Sequence, residues 1–550
     1  MKKIVFGCVF LLMCLNVLSQ FTQVAESAVF EEPEEGFCKV LQMKNGNTMF
    51  FHLKNKKGMS VRAYDISHKL IAEKQLETSL GKLKAANVDG FFEVNGNAVL
   101  LVSEFESATP VLTRIIVNGT TGALIEDKEI ARMDKVSMGM GYGMALGAVA
   151  LPDFSVRKDP FSDNYAVVMF NTVQSDRNKR IELVLYGADN KEIKRVNYNS
   201  PENKFKYLHF IDMAFFGRNN VALLVSAYNT KESGSEQAAF LLGTLEEGDK
   251  EIKVTRLDVE RNLGATGGIA RYNPVTKKLI LLTTTRLGRK EGSKNGKTAI
   301  DVVLTFVDPV TKTMEHSEQP VLQDAFQKHA ELFGKKDELT VGPQNIYINS
   351  DGSFAVLFEE LKLYSRMGSM GGWSGSSNTA NNQYQLSDAE LGHAVVANYS
   401  ILGTETGSYL FPRSQHLERA AVVPFYQSER EGTAQKMDRG NQYKSCYYLP
   451  AKNGSYMLMN DAEKNTESIQ KGKITKIVGV SDCDAFYYRI SGSDIVPGRV
   501  MLYGDPGKKS HNLSIFTISD YDASSNQFVT LKLENERGDK GVKLVWLQPQ

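Results

Sequence analysis

Residues 87–131 read NVDGFFEVNGNAVLLVSEFESATPVLTRIIVNGTTGALIEDKEIA. Four runs alternate with turns here: 88–94, the apolar 98–102, 111–117 and the heavily charged 123–130. Asn95-Gly96 between the first two is a strong two-residue hairpin signal, because that turn needs positive φ at both positions. Asn118-Gly119-Thr120-Thr121-Gly122 separates the last two. The stretch therefore predicts a four-stranded antiparallel meander with one buried edge and one edge protected by charge.

Imperfect copies of this unit recur along the chain, opening near residues 37, 87, 155, 209, 268, 344 and 443. First-to-second turns fall near 45, 95, 162, 218, 274, 351 and 453. Third-to-fourth turns fall near 66, 119, 188, 248, 310, 403 and 522. Several of the latter share an aromatic residue or valine, then Asp or Asn: Tyr64-Asp65, Val117-Asn118, Val307-Asp308 and Tyr521-Asp522. Such periodicity resembles the β-propeller class as a whole, across nearly all of residues 37–550, without the blade signature of any particular family. The resemblance implies an all-β propeller of about seven blades, with six or eight as alternatives. A further run, 542–547, is expected to pair with the first unit and close the ring.

Met1-Lys2-Lys3 followed by an apolar stretch to residue 18 has the form of a secretory signal over residues 1–20. Cleavage is expected near Ser19-Gln20, or as late as Ala25 or Ala28, with 21–36 as a linker. About 15 apolar residues fall short of the roughly 20 that a spanning helix needs. The chain carries 65 basic and 64 acidic residues. A charge so evenly divided argues against a dedicated nucleic-acid binder. Cys38, Cys446 and Cys483 lie beyond the signal. One disulfide, Cys446–Cys483, is the expected pairing in an exported chain, with three free thiols as the alternative.

The residues outside the repeat fall at 132–154, 320–343, 362–392, 412–442 and 461–512. In a meander whose strands alternate in direction, second-to-third and inter-unit connections emerge at one end of the strands. The tight turns emerge at the other. All these insertions are thus expected on one face, where a partner would bind. Two of them combine glycine and methionine: 136–152 with Met138, Met140, Tyr142 and Met144, and 364–382 with Met367, Met370 and Trp373. Adaptable methionines with an aromatic anchor suit a protein or glycan contact. Residues 323–333 are expected as a short helix with Phe326, Ala330 and Phe333 along its packed side.

No catalytic motif is legible. The glycines at 139, 141, 143 and 147 lack the strand–helix frame and the Lys-Ser/Thr of a phosphate loop. Eight histidines are scattered without a zinc spacing. Residues 372–376 lack the second glycine of a nucleophile elbow. Asp520–Asn526 alternates oxygen ligands but lacks the glycine and the terminal glutamate of a calcium loop, so it reads as a turn. Glu359-Glu360 and the carboxylates flanking Cys483 read as solvated charges. No cofactor and no metal is expected. These features favour an exported, non-catalytic propeller binding a protein or surface glycan through its loop-rich face. The alternatives are a glycan-acting propeller hydrolase or lyase and a structural subunit of a cell-envelope complex. Residues beyond the signal contain no membrane-spanning run, and a periplasmic, cell-surface or extracellular location follows from the signal.

Overall fold

The structure, a computed structural model, describes residues 21–82, 86–136, 151–172, 174–199, 205, 207–229, 238–257, 265–286, 300–334, 338–364, 387–420, 422–438, 440–507, 510–536 and 539–550. They form eight antiparallel sheets, the blades of a β-propeller. The unit quoted above is the second blade, with strands Asn87–Val94, Asn97–Glu106, Thr109–Asn118 and Leu124–Arg132. Asn95 and Gly96 both take positive φ at its first turn. The first strands of neighbouring blades lie against one another and surround the central channel. They are Phe37–Gln42, Asn87–Val94, Asp153–Lys158, Tyr207–Gly217, Ala265–Asn273, Gly342–Ile348, Cys446–Ala451 and Ser514–Asp522, for blades 1 to 8 in that order.

Each sheet is buried on both faces. A middle strand such as Tyr165–Phe170 is therefore apolar throughout, with every residue buried. An outermost strand such as Leu124–Arg132 has no buried residue and is mostly charged. The core is correspondingly divided, one apolar cluster to each interface between adjacent blades. Phe92, Val94 and Leu101 of blade 2 pack on Phe154, Tyr165 and Val167 of blade 3, for example. Burial of this kind is worth roughly 1.5–3 kcal/mol for each large apolar side chain.

Eight blades form, rather than the favoured seven, and the difference arises in the last hundred residues. The expected seventh unit joined 443–460 directly to 513–534. Instead, blade 7 is completed by Cys483–Ile490 and Arg499–Met501, both within the supposed insertion 461–512. The turn at Asp522 is consequently the first turn of blade 8. Its chemistry misled, because Asp522 accepts the Ser524 amide at 2.9 Å as Asp308 accepts that of Val310 at a third-to-fourth turn. An Asx turn caps either kind of hairpin. The same hydrogen bonds bear out the turn reading of Asp520–Asn526.

Blade 8 also settles the closure. The strand Asp539–Pro549 pairs with Gln527–Glu536 and with Phe21–Glu26 from the opposite end of the chain, not with the first unit. Residues 21–36, expected as a linker, thus supply the outermost strand and a second short pairing at Phe30–Glu31. Phe21 is 3% exposed and packs its ring 4.9 Å from those of Tyr456 and Tyr487 in blade 7. Residues 1–20 lie outside the described residues.

The helix Gln323–Phe333 forms as expected, but only part of the expected side packs: Phe333 lies against His393 and the core between blades 5 and 6. Ala325 and His329 are its buried residues, and Phe326 is exposed. It lies on Glu405–Phe411, covering the edge strand of blade 6, where the Ala325 amide donates to Ser408 at 3.1 Å. Cys446 and Cys483 are unpaired. They begin the first and third strands of blade 7, on either side of Gly454–Ala462. Two strand spacings, about 9.5 Å, exceed the roughly 7 Å limit for bridged Cα atoms.

Candidate functional site in the central channel

The segment 412–442 does not ornament the rim. It forms a strap that enters the channel. It begins with Gln415–Ala420, which pairs with the start of Ser387–Tyr399 in blade 6. The Phe425 amide then donates to Pro343 O of the blade 6 inner strand at 2.9 Å, and the Phe425 ring lies beside Gly267 of blade 5. Across the channel, Gly432 O accepts from the Phe91 amide of blade 2, and Gln435–Lys436 pairs with the start of the blade 1 inner strand. Contacts at 425 and 435 fall at the entry ends of inner strands, whereas those at 431 and 432 fall midway along them. Glu431-Gly432 is therefore the tip of a dipping loop, turned by Gly432 at φ +73°.

The root of the strap is fixed by a buried ion pair. Arg413 and Glu359 are both fully buried and directly bonded. Arg413 Nε also donates to Gly392 O at 2.8 Å, and the Cys446 thiol donates to Glu359 at 3.2 Å. The guanidinium beside Glu359 holds its carboxyl below the usual range against the opposing effect of burial. Burial, with Glu359 adding to it, pushes the Cys446 thiol up to about 12. Glu359 is thus no solvated strand-end charge, because a buried carboxylate needs a partner. Asp484 likewise is engaged, by His511 at 3.0 Å and by the Asn512 amide at 2.7 Å.

At the strap's tip, charged groups from several blades converge. Glu431 accepts from Arg271 of blade 5 at 3.0 Å and from Asn345 of blade 6 at 2.5 Å. It also lies within electrostatic reach of Lys39, Arg157, Tyr347 and Tyr447, in blades 1, 3, 6 and 7. Asp212 of blade 4 is 2% exposed; it accepts from Arg157 at 2.5 Å, Arg271 at 3.3 Å and the Ala270 amide at 2.9 Å. Asp520 of blade 8 accepts the Gln42 amide of blade 1 at 2.7 Å. Register shifts precede Asp212, Asn345 and Ser519 in their strands. Such bulges re-aim side chains, here toward the axis or the neighbouring blade.

Asp212 and Glu431 are both held by cations of the cluster. Asp212 has both oxygens committed to cations or a backbone amide, and Arg271 stands between it and Glu431. An acid–base pair needs a carboxylate free to exchange its proton with a substrate. Among the described residues no group of three or more His, Cys, Asp or Glu side chains is placed to hold a metal ion. Two of the scattered histidines do meet: His329 and His393 lie with ring centroids 5.0 Å apart beside Phe333. Burial, aided by His329, lowers His393 to about 3, so the His393 ring is neutral where it packs on Phe333 and His329.

The predicted contact residues Met138, Met140, Tyr142, Met144, Met367, Met370 and Trp373 lie outside the described residues, as do 372–376. The residues that sequence reasoning missed, Asp212, Arg271 and Glu431, left a partial signal. Asp212 is the only carboxylate in the otherwise apolar YLHFIDMAFFG of 207–217. A charge inside such a run has to be paired.

No protein-family model matches the chain. No curated protein matches it. Solved structures similar to it include a protein of unknown function from Dyadobacter fermentans, at 10% identity and a TM-score of 0.30, covering 96% of this chain and all of that one. An ulvan lyase bound to a GlcA(1-4)Rha3S ligand is similar at 9% identity and TM-score 0.37, over 87% of this chain and 98% of that one. A lectin from Burkholderia pseudomallei is similar at 12% identity and TM-score 0.31, over 69% and 99% respectively.

Proposed function

We propose that this chain is an exported, non-catalytic propeller that binds a protein or surface polymer through the face bearing its long connections. The observation that carries this reading is the build of blade 6. Its inner strand Gly342–Ile348 has seven residues, but Phe354–Tyr364 and Ser387–Tyr399 have eleven and thirteen. Their pairing continues past the inner strand from Leu361↔Leu391 to Tyr364↔Asp388, and the strap adds Gln415–Ala420 as a third strand alongside. Leu391 and Leu417 are buried there with Ala389 and Val422. The connection 365–386, with Met367, Met370 and Trp373, thus springs from a stiffened stalk. A contact segment on a rigid base loses less entropy on binding.

The connection 137–150, with Met138, Met140, Tyr142 and Met144, joins the outer strand of blade 2 to the inner strand of blade 3. Strand alternation places the described ends of these two flanking strands, Arg132 and Asp153, on the same face. The alternative of a glycan-acting hydrolase or lyase has less support: the strap occupies the channel on that face, and Asp212 is locked by two arginines. The test is a pull-down from the native envelope with the full chain and with 137–150 and 365–386 each replaced by a short Gly-Ser link. Loss of the same partner in both variants, at unchanged Tm, is expected. An unchanged partner set in both would defeat the proposal.

A further inference from the structure

Blade 5 turns twice on the same motif. Asn273-Pro274-Val275-Thr276-Lys277 joins its first two strands, and Asp308-Pro309-Val310-Thr311-Lys312 its last two. In each, the leading side chain accepts the amides of the valine and the threonine. The distances are 3.1 and 3.3 Å at Asn273 and 2.9 and 3.0 Å at Asp308. Such turns fix the backbone locally, and they hold Val275 and Val310 outward, 47% and 61% exposed. Blade 6 continues this surface. Its first turn is seated on blade 5 by Asn273 Nδ2, which donates to Gly352 O at 2.7 Å. A Cβ at Gly352 would stand 2.8 Å from Val275 and 3.0 Å from Ile401, so these two exposed side chains converge over the glycine. The third-to-fourth turn of blade 6 rests Gly403 against Phe306 and His316, at the foot of the turn that carries Val310. It lifts Leu402 to 77% exposure, the highest of any large apolar side chain among the described residues.

An apolar ridge thus crosses two neighbouring blades on the face opposite the long connections. Its backbone is fixed before any contact, so little entropy is lost when it is covered. Its charges identify what covers it. The turns 273–278, 308–315, 349–353 and 400–404 carry Lys277, Lys278 and Lys312 against Asp308, Glu315 and Asp351. Lys278 is shared between Asp308 at 2.9 Å and Glu315 at 2.5 Å. With the two signs equal, the patch has no net field to draw in an anionic membrane or a charged polymer. Turned about a twofold axis, it meets its own copy with no excess of like charge, as an isologous contact requires. The four apolar side chains expose on the order of 400 Å². With a polar rim of similar extent, two copies bury roughly 1,600 Å² in all, the size of a stable interface. We infer that the tight turns of blades 5 and 6 form the interface of a homodimer. Pairing through this face leaves both loop-bearing faces free and pointing apart, whatever they bind.

The experiment is sedimentation velocity over micromolar to near-millimolar concentrations. It compares the full chain with Leu402→Glu, Val310→Glu and the control Ile66→Glu. Ile66 is 73% exposed on the same face but in blade 1, across the ring from blade 5. The full chain and Ile66→Glu are expected to dimerise alike. Leu402→Glu and Val310→Glu are each expected to weaken dimerisation at least about tenfold, the equivalent of roughly 1.4 kcal/mol. Both are exposed turn residues, so an unchanged Tm of the dilute variants excludes misfolding as the cause. The chain lacking 137–150 and 365–386 is expected to dimerise as the full chain does, which separates this surface from the loop-face reading. A monomer at every concentration, an open-ended oligomer, or a dimer that either Leu402→Glu or Val310→Glu leaves intact would overturn the proposal. Equal dissociation of Ile66→Glu, or of the loop-deleted chain, would overturn it as well.

Discussion

Arg271 of blade 5 holds Glu431, 160 positions later in the chain, at 3.0 Å, and reaches Asp212 of blade 4 at 3.3 Å. One guanidinium therefore ties the tip of the strap to the wall of the channel. Glu431 is well exposed, and exposed pairs contribute little to global stability. Glu431→Ala is expected to change the unfolding free energy by less than about 1 kcal/mol. Hydrogen exchange of 425–437 should nevertheless become several-fold faster, because local opening is governed by local contacts. Unchanged exchange in this segment would show that the strap is held only at its ends.

The strap's root behaves differently. Arg413 and Glu359 are both fully buried, so removing one partner strands the other's charge away from water. Arg413→Met is expected to cost about 3–5 kcal/mol. Combining it with Glu359→Leu should recover much of that loss, since an apolar pair replaces a desolvated one. Urea denaturation of the two variants measures both effects.

Closure of the ring rests on six residues near the start of the chain. Phe21→Ala removes a nearly buried ring from between blades 7 and 8 and is expected to cost about 3–5 kcal/mol. Deleting 21–26 exposes the long edge of Asp539–Pro549 and should lower Tm and promote association. If residues 1–20 are a cleaved signal, the mature chain should accordingly begin at or before Phe21, not after Ala25 or Ala28. N-terminal sequencing reads this directly.

The cysteines provide a chemical check. All three are buried, and desolvation holds each thiol well above the range in which a thiolate forms at neutral pH, to about 12 for Cys446 and Cys483. Native protein at pH 8 should resist iodoacetamide, and urea-unfolded protein without reductant should take up a label at each of Cys38, Cys446 and Cys483. A protected Cys446 and Cys483 after unfolding would indicate a disulfide.

Acid should weaken the fold through two histidines. Burial lowers His209 to about 4, and His393 to about 3, from an ordinary 6.5. In the unfolded chain both take up protons below pH 6.5, while the folded chain resists. Their stability contribution is thus intact above pH 6.5 and is lost as pH falls toward 4, each by about 1–3 kcal/mol. Glu429 has the opposite sense: burial, reinforced by Asp153, raises it from 4.5 to about 7. Its contribution is present below pH 4.5 and falls as pH rises to 7. Tm against pH for His393→Phe, His209→Phe and Glu429→Gln separates the three. Unaltered slopes in the variants would refute these assignments.

The blades themselves were legible in the sequence because their causes are local. Asn95-Gly96 must turn, Asp65 and Asn118 cap their own hairpins, and doubly buried strands leave continuous apolar runs. Where local chemistry was shared between two kinds of turn, as at Asp308 and Asp522, the count slipped by one blade. Cys483–Ile490, set 20 residues beyond its partner strand and followed by the turn at 491–498 without Asn-Gly, gave no hairpin signal at all. Ring closure, the course of the strap and the charged cluster at the axis were decided only by tertiary structure. They join Thr22 to Gln550, Gly432 to Phe91 and Glu431 to Arg271, pairs whose spacing carries no periodicity. Turn propensity acts over a few bonds, whereas an edge strand or a buried charge takes whichever partner the closed ring brings within reach.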